Sequence, residues 1–361
     1  MITHDVYGGL GNQLFQIFTT IAISLKSGYG FFFTYKPAIL DQDTHRHAYW
    51  DSFLKNLDPF VVHSDASNSF LSWSPIHVNE PNNHEFFEIV PNHVAPMSII
   101  REFSQMAYVP YSLRTVTEGH LTQLNPEQTS FAEDFGEDTI NVVYNLTGFF
   151  QSYKYFEDEF DQICKMIGVE QQKQLLRQEI HDNQFIIAPI SMHFRLGDYN
   201  KLEHIHPIMP FEYYRNSLTF VLDKLHKEHM YTGPESNPIP VLIFCEASDF
   251  PEINQAIICR LKPLFPMCEF IRAPFDTVEW KQMLYMSLCR CNIIANSTFS
   301  LWGAFFNTNP DAIICYPWHW YTDLFKKSVK DMFPSQWSRC VWHKIGYIAC
   351  DNTGEKSKHR V

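Results

Sequence analysis

Ile2, His4 and Val6 alternate with Thr3 and Asp5, the period of a short strand, and Gly8-Gly9-Leu10-Gly11 then breaks the alternation. Leu14, Phe15, Phe18, Ile21, Ala22 and Leu25 recur at helical spacing as far as Gly28, which reads as a C-terminal stop. Phe31-Phe32-Phe33-Thr34-Tyr35 follows as a buried strand. The chain therefore opens β-loop-α-β. From Asp41 to about Asn141 the periodicity is weak and Asn, His, Pro and aromatic residues are frequent, which predicts loops and short elements.

Order returns near Phe185. Ile190-Ser191-Met192-His193-Phe194 reads as a strand after Pro189, and Arg195-Leu196-Gly197-Asp198-Tyr199 as the loop leaving it. Further strands are predicted at Val241–Phe244, Glu269–Ile271, Asn292–Ala295 and Ala312–Cys315, with helices between them. Asp276 and Glu279 make a capping box ahead of a helix running to about Cys289, and a second helix runs from Thr298 to Phe306. Strands alternating with helices of this length imply parallel β-α-β units and a Rossmann-like C-terminal domain. The stretch from Glu228 to Pro240 reads as a surface loop and the polar stretch from Asn352 to Val361 as disordered.

The chain has 361 residues, 45% hydrophobic and 16% aromatic. At roughly 100–200 residues per domain this predicts about two domains, divided as 1–188 and 189–339, with 340–361 as a segment able to return to the first. A formal charge of −12 excludes a broad nucleic-acid or anionic-membrane surface, which needs clustered Lys and Arg. No window reaches the ~18–20 uninterrupted apolar residues of a membrane span, and the start, MITHDVYGG, lacks a basic and then hydrophobic leader. A cytoplasmic, reducing compartment is expected, and the nine scattered cysteines are expected as buried thiols. Cys289 and Cys291, placed two apart on a helix, would point in different directions and make a poor metal pair.

Three stretches carry chemistry. In "SMHFRLGDY" the strand end puts His193 and Arg195 on one face, in the loop position where open α/β sheets bind ligands. The arginine fork suits a diphosphate; equally, Arg195 could form a structural ion pair with Asp198. In "IIANSTFSLWGAFF" a strand leads through Asn296-Ser297-Thr298 into a helix, and hydroxyls with free N–H groups at a helix start favour an anion. The loop from Gly8 to Gln13 places glycines before a helix but lacks the dinucleotide spacing; Asn12 and Gln13 offer neutral donors and acceptors. Asp41-Gln42-Asp43 matches the D-x-D of metal-dependent sugar transferases, yet follows no clear strand and reads as solvated loop. His204-Ile205-His206-Pro207 reads likewise.

Together these stretches resemble glycosyltransferase family 11, the α-1,2-fucosyltransferases, in G-G-L-G-N-Q, H-x-R-x-G-D-Y and N-S-T-F-S-x-W. "GFFQSYKYF", "FEYYRNSL" and "MSLCRCNII" add matches in the family's order, so the resemblance spans about Tyr7 to Trp318. Two positions depart: the middle loop, often with two consecutive arginines, has Leu196 second, and an F-S-D-D segment appears as Phe244-Cys245-Glu246-Ala247.

The resemblance implies a GT-B-like α/β fold of two Rossmann-like domains facing a cleft, with GDP-fucose in the C-terminal half and a glycan acceptor opposite. It implies donor contacts from Gly9, Gly11, Asn12, Gln13, His193, Arg195, Asn296, Ser297, Thr298 and Phe299, with catalytic parts for Arg195, Asn12 and Asp198, and an inverting transfer without metal or other cofactor. Another GDP-deoxysugar, another fucose linkage and a non-catalytic sugar- or nucleotide-binding protein are the competing expectations.

Overall fold

The computed structural model describes residues 1–41, 44–63, 75–79, 143–227, 238–274, 277–324, 329 and 331–342. The capping residue Asp276, the D-x-D residues Gln42 and Asp43, residues 228–237 of the loop predicted from Glu228 to Pro240, and the polar tail fall outside these, while Ile239 and Pro240 of that predicted loop belong to a strand. The chain divides into two units, Met1–Glu170 with Lys330–Met332, and Gln171–Val329 with Phe333–Val361.

In the first unit the apolar alternation at the start forms β1 (Ile2–His4), and the 3.6-residue pattern after it forms α1 (Leu10–Ser27). Gly28 ends the helix as predicted, with φ of 75° and its N–H donating to Ser24 O at 2.9 Å. Only glycine enters that left-handed region without penalty. The predicted strand over 31–35 is shorter, β2 (Phe33–Thr34), although Phe31 bridges Ile2.

The described part of the stretch expected to hold loops and short elements does contain short elements. A hairpin pairs β3 (Ala38–Asp41) with β4 (Thr44–His47), a 3₁₀ turn covers Lys55–Phe60, and β5 (Val61–Val62) runs parallel to β2. β6 (Pro75–Asn79) and β7 (Val143–Thr147) complete a parallel sheet in the order β1-β7-β6. Asp41 thus ends a hairpin strand rather than lying in a solvated loop. α2 (Phe160–Ile167) closes the unit, its Phe160 and the neighbouring Phe156 packing on Phe18 of α1.

α3 (Val169–Asp182) runs into the second unit, so the division falls near 170 rather than at 188. Lys173 supplies the reason: fully buried, it donates to Phe306 O at 3.0 Å and Thr308 Oγ1 at 3.3 Å, tying α3 to that unit's late helices. The remaining elements are β8 (Ile190–His193), α4 (Phe211–Lys227), β9 (Ile239–Phe244), α5 (residues 250–261, with a π-helical middle), β10 (Cys268–Arg272), α6 (Glu279–Leu288), β11 (Cys291–Ile293), α7 (Thr298–Phe305), β12 (Ile313–Pro317) and β13 (Ser338–Cys340).

Three local expectations are corrected here. α6 starts at Glu279 with Val278 at its N-cap and no side-chain cap bond. Cys289 is the residue that ends α6 while Cys291 opens β11, so the two do not share a helix. Cys340 is disulfide-bonded, so thiols throughout do not hold, whereas Cys245, Cys268, Cys289, Cys291 and Cys315 are buried thiols and Cys259 is an exposed one.

The six strands form one parallel sheet in the order β10-β9-β8-β11-β12-β13, as α/β alternation requires. Ile190, Met192, Val241, Ile243, Ile293 and Cys315 pack with Tyr213, Leu218 and Val221 of α4 and with Leu261 in its core. The order matters for function. The chain starts in the middle at β8, builds outward through β9 and β10, then returns to the other side of β8 with β11. The order of strand addition reverses between β8 and β11, and in open α/β sheets that switch point opens a crevice at the strands' carboxyl ends.

Among the described residues no helix is long and apolar enough to cross a membrane.

Candidate functional site

The loops leaving β8 and β11 emerge side by side, because Met192 registers against Ile293. Arg195 stands two residues past β8. Its Nη2 donates to Asp198 Oδ1 at 2.6 Å and its Nη1 to Glu246 Oε1. The ion pair with Asp198 predicted as one alternative therefore exists, and Glu246, two residues past β9, adds a second carboxylate. The Arg195 pKa is raised: burial pulls it down, and Asp198 and Glu246 more than reverse that. Both carboxylate side chains are substantially exposed, at 40% and 51%, against 22% for Arg195, so their hold is screened by water.

Gly197 has φ of 41° and its N–H donates to Asp249 Oδ2 at 2.9 Å, which fixes the turn to the N-cap of α5. An added Cβ at Gly197 would sit 3.3 Å from Glu246 Oε2. Leu196 is buried in the core, so this loop presents one guanidinium where the resembled family often has two.

On the other side of Arg195, Tyr199 donates its hydroxyl to Asn296 O at 2.8 Å. The His193 ring lies 5.7 Å from that of Phe299, in the first turn of α7. The sequence-predicted residues of the two loops therefore do come together. Ser297 is the N-cap residue, extended at φ −131° and ψ 128°, and its hydroxyl makes no cap bond. The N–H groups of Thr298, Phe299 and Ser300 open the helix without intrahelical acceptors, the arrangement that attracts anions.

His193 is buried with its Nδ1 unpaired. Burial first, and Arg195 second, lower its pKa to about 3, so the ring is neutral near pH 7. Asn296 is buried too, its Nδ2 donating to Pro207 O at 2.9 Å and Trp320 O at 3.2 Å. The Nδ2 side of that amide braces the loop walls, while its Oδ1 is buried without a partner among the described residues.

In the first unit, Gly8 has φ of 82° and Asn12 crowds the place of its missing Cβ at 3.2 Å. Gly9 is different: nothing lies within 4 Å of an added Cβ, so its backbone faces open space. Gly11 is buried inside α1. Asn12 accepts from Gln151 Nε2 at 2.9 Å. Gln13 is committed elsewhere, donating to Gly8 O at 2.9 Å and His47 O at 2.8 Å. Gln16 bonds both the N–H and the C=O of Tyr7 at 3.0 and 2.8 Å. The glycine-rich motif is thus partly scaffold, while the Gly9 backbone lies in open space. Among the described residues no group of three or more His, Cys, Asp or Glu side chains could hold a metal ion.

Sequence reasoning overlooked Tyr199, Asp249 and Glu246 as parts of this cluster. Tyr199 stood inside the quoted motif, and Glu246 was visible only as a departure from a pattern.

No protein-family model matches the chain. Among solved structures, POFUT1 in complex with GDP shares 12% identity over 87% of this chain and 97% of its own, at a TM-score of 0.40. A mutant of Arabidopsis thaliana FUT1 in complex with GDP shares 10% over 85% and 68%, at 0.37. Likenesses of this depth do not assign an activity.

A curated relative, the O-antigen biosynthesis glycosyltransferase WbnK of Escherichia coli, is 25% identical over 185 residues, 49% of this chain. The match takes in 55% of that relative's length.

Proposed function

We propose that this chain is a GT-B-type glycosyltransferase that moves L-fucose from GDP-β-L-fucose to a galactoside or similar glycan, forming an α-1,2 linkage with inversion. The observation that carries the reading is the meeting of Arg195 and the Asn296–Thr298 turn at the sheet's switch point, bound together by Tyr199. The motif resemblance supplies the donor and linkage, and the glycosyltransferase relative supports the reaction class.

In this reading Arg195 binds the diphosphate, and Ser297, Thr298 and the first N–H groups of α7 add neutral donors. Asp198 and Glu246 hold the guanidinium in place; both are exposed enough to be displaced by a diphosphate, which carries more charge on one bidentate partner. Phe299 and neutral His193 wall the site. The motif resemblance adds Gly9 and Asn12 as donor contacts.

Inversion needs a single displacement, so no covalent enzyme intermediate forms. The main catalytic demand is stabilisation of the departing GDP, and fixed donors aimed at that growing charge are among the larger catalytic terms. No positioned carboxylate is assigned to the acceptor proton; in a loose, oxocarbenium-like transition state the hydroxyl loses it late.

Incubation with GDP-fucose and a panel of β-galactosides, with GDP release followed and the product linkage determined, tests the proposal. Release with a linkage other than α-1,2 keeps the transferase and replaces the specificity. Binding of GDP-fucose without release across the panel would favour a non-catalytic binding protein.

A further inference from the structure

We infer that Tyr199 is a positioning residue for the anion site: it sets both the aim of Arg195 and the spacing between the two loops that form the site. The inference rests on the functional reading above, in which Tyr199 enters only as the tie between two loops, and gives that residue a part in ligand binding.

Three contacts converge on this one side chain. The Arg195 guanidinium carbon lies 5.5 Å from the Tyr199 ring centroid, a cation–π distance. The Tyr199 hydroxyl donates to Asn296 O at 2.8 Å, immediately before the Ser297 N-cap. Its ring stacks on His206 with centroids 4.5 Å apart and planes 16° from parallel. His206 is itself 5.3 Å from Tyr321, while Thr322 N–H donates to Ile205 O at 2.9 Å and Asn296 Nδ2 donates to Pro207 O. The phenol therefore sits on a braced platform.

The carboxylate partners cannot do this work alone. Asp198 and Glu246 are the groups that an incoming diphosphate displaces, so their grip on Arg195 weakens when its aim matters most. The aromatic contact survives displacement because a cation–π attraction consumes none of the N–H donors, which stay available to the anion. The hydroxyl contact holds Asn296, and with it the α7 N-terminus, at a fixed distance from the arginine loop. Burial raises the phenol pKa, so the hydroxyl remains a donor through the physiological range.

The test uses the full-length chain and GDP as the probe. GDP affinity by calorimetry, turnover with GDP-fucose and melting temperature are measured for wild type, Tyr199→Phe, Tyr199→Leu, Arg195→Ala and the double variant Tyr199→Phe/Arg195→Ala. Tyr199→Phe keeps the ring and loses the tether, and is expected to weaken GDP by about fivefold, the size of one net hydrogen bond. Tyr199→Leu loses both and is expected to weaken it by a further factor of about three or more.

In the Arg195→Ala background the Tyr199→Phe effect should shrink, because part of what the tether positions is gone. Shrinkage of this kind, with Tyr199→Phe still melting near wild type, supports the inference. Wild-type GDP affinity in both Tyr199 variants, or an undiminished effect in the double variant, overturns it while leaving the donor site intact. Wild-type affinity in Arg195→Ala instead overturns the functional reading, and this inference with it.

Discussion

The hydroxyl of Tyr199 and the carbonyl of Asn296 meet at 2.8 Å across 97 residues of sequence. Two loops that leave neighbouring parallel strands are thereby joined at the point where the order of strand addition reverses. One brings a cation and the other a helix start with unspent N–H groups. That pairing is what a diphosphate-binding crevice requires.

Arg195→Ala should lower turnover with GDP-fucose by roughly 10²–10³ while the protein stays folded. Its two ion-pair partners are half exposed, so neither is left as a buried unpaired charge. Turnover and melting temperature, measured on the same preparation, check this. An unfolded variant would make Arg195 a structural residue.

Gly8 and Gly9 should behave differently when changed to Ala. At Gly8 the φ of 82° and the Asn12 contact at 3.2 Å predict a stability loss of roughly 1–2 kcal/mol. At Gly9, with φ of −72° and open space around it, stability should stay within about 0.5 kcal/mol and activity should fall. Denaturant titrations with turnover assays separate the cases; a fully active Gly9→Ala would remove Gly9 from the ligand cradle.

His193 should contribute to acid lability. Its folded pKa of about 3 lies below the ordinary 6.5, so the unfolded chain binds its proton first as pH falls. The contribution is complete above about pH 6.5 and is lost downward toward pH 3, by up to about 1.4 kcal/mol per pH unit. Stability measured from pH 7 to pH 4 should decline less steeply in His193→Gln. Equal slopes would mean the folded ring takes up its proton normally.

Transfer should persist in EDTA. The proposed leaving-group stabilisation comes from Arg195 and the N-terminus of α7, and no metal-holding group of side chains occurs among the described residues. Turnover abolished by the chelator and restored by a divalent cation would require a different account.

The β-α-β rhythm of the second half was legible because each apolar run is short, bounded and separated by a helical period. β8, β9 and α7 fall within a residue or two of their expected limits at the ends that matter for the site. The first half resisted. Its short strands, such as Phe33–Thr34 and Val61–Val62, carry too few residues for a period to register, and they are held by pairing with distant partners.

Within the site, the polar residues at strand ends were visible, but their orientation was not. Nothing local distinguishes Gln13, spent on two backbone carbonyls, from Asn12 one position earlier. Glu246 meets Arg195 only because β9 and β8 are neighbours, which is a property of strand order and not of either motif.

The inside-out strand order also has a temporal side. As the chain emerges from the ribosome, β8, β9 and β10 can pair and fix Arg195 between Asp198 and Glu246 while the segment bearing Asn296 is still unmade. A product ending after α6 would keep a paired arginine and lack its opposite wall. On the proposed function, nucleotide capture is a late reporter of maturation for this unit, because it needs β11 inserted beside β8.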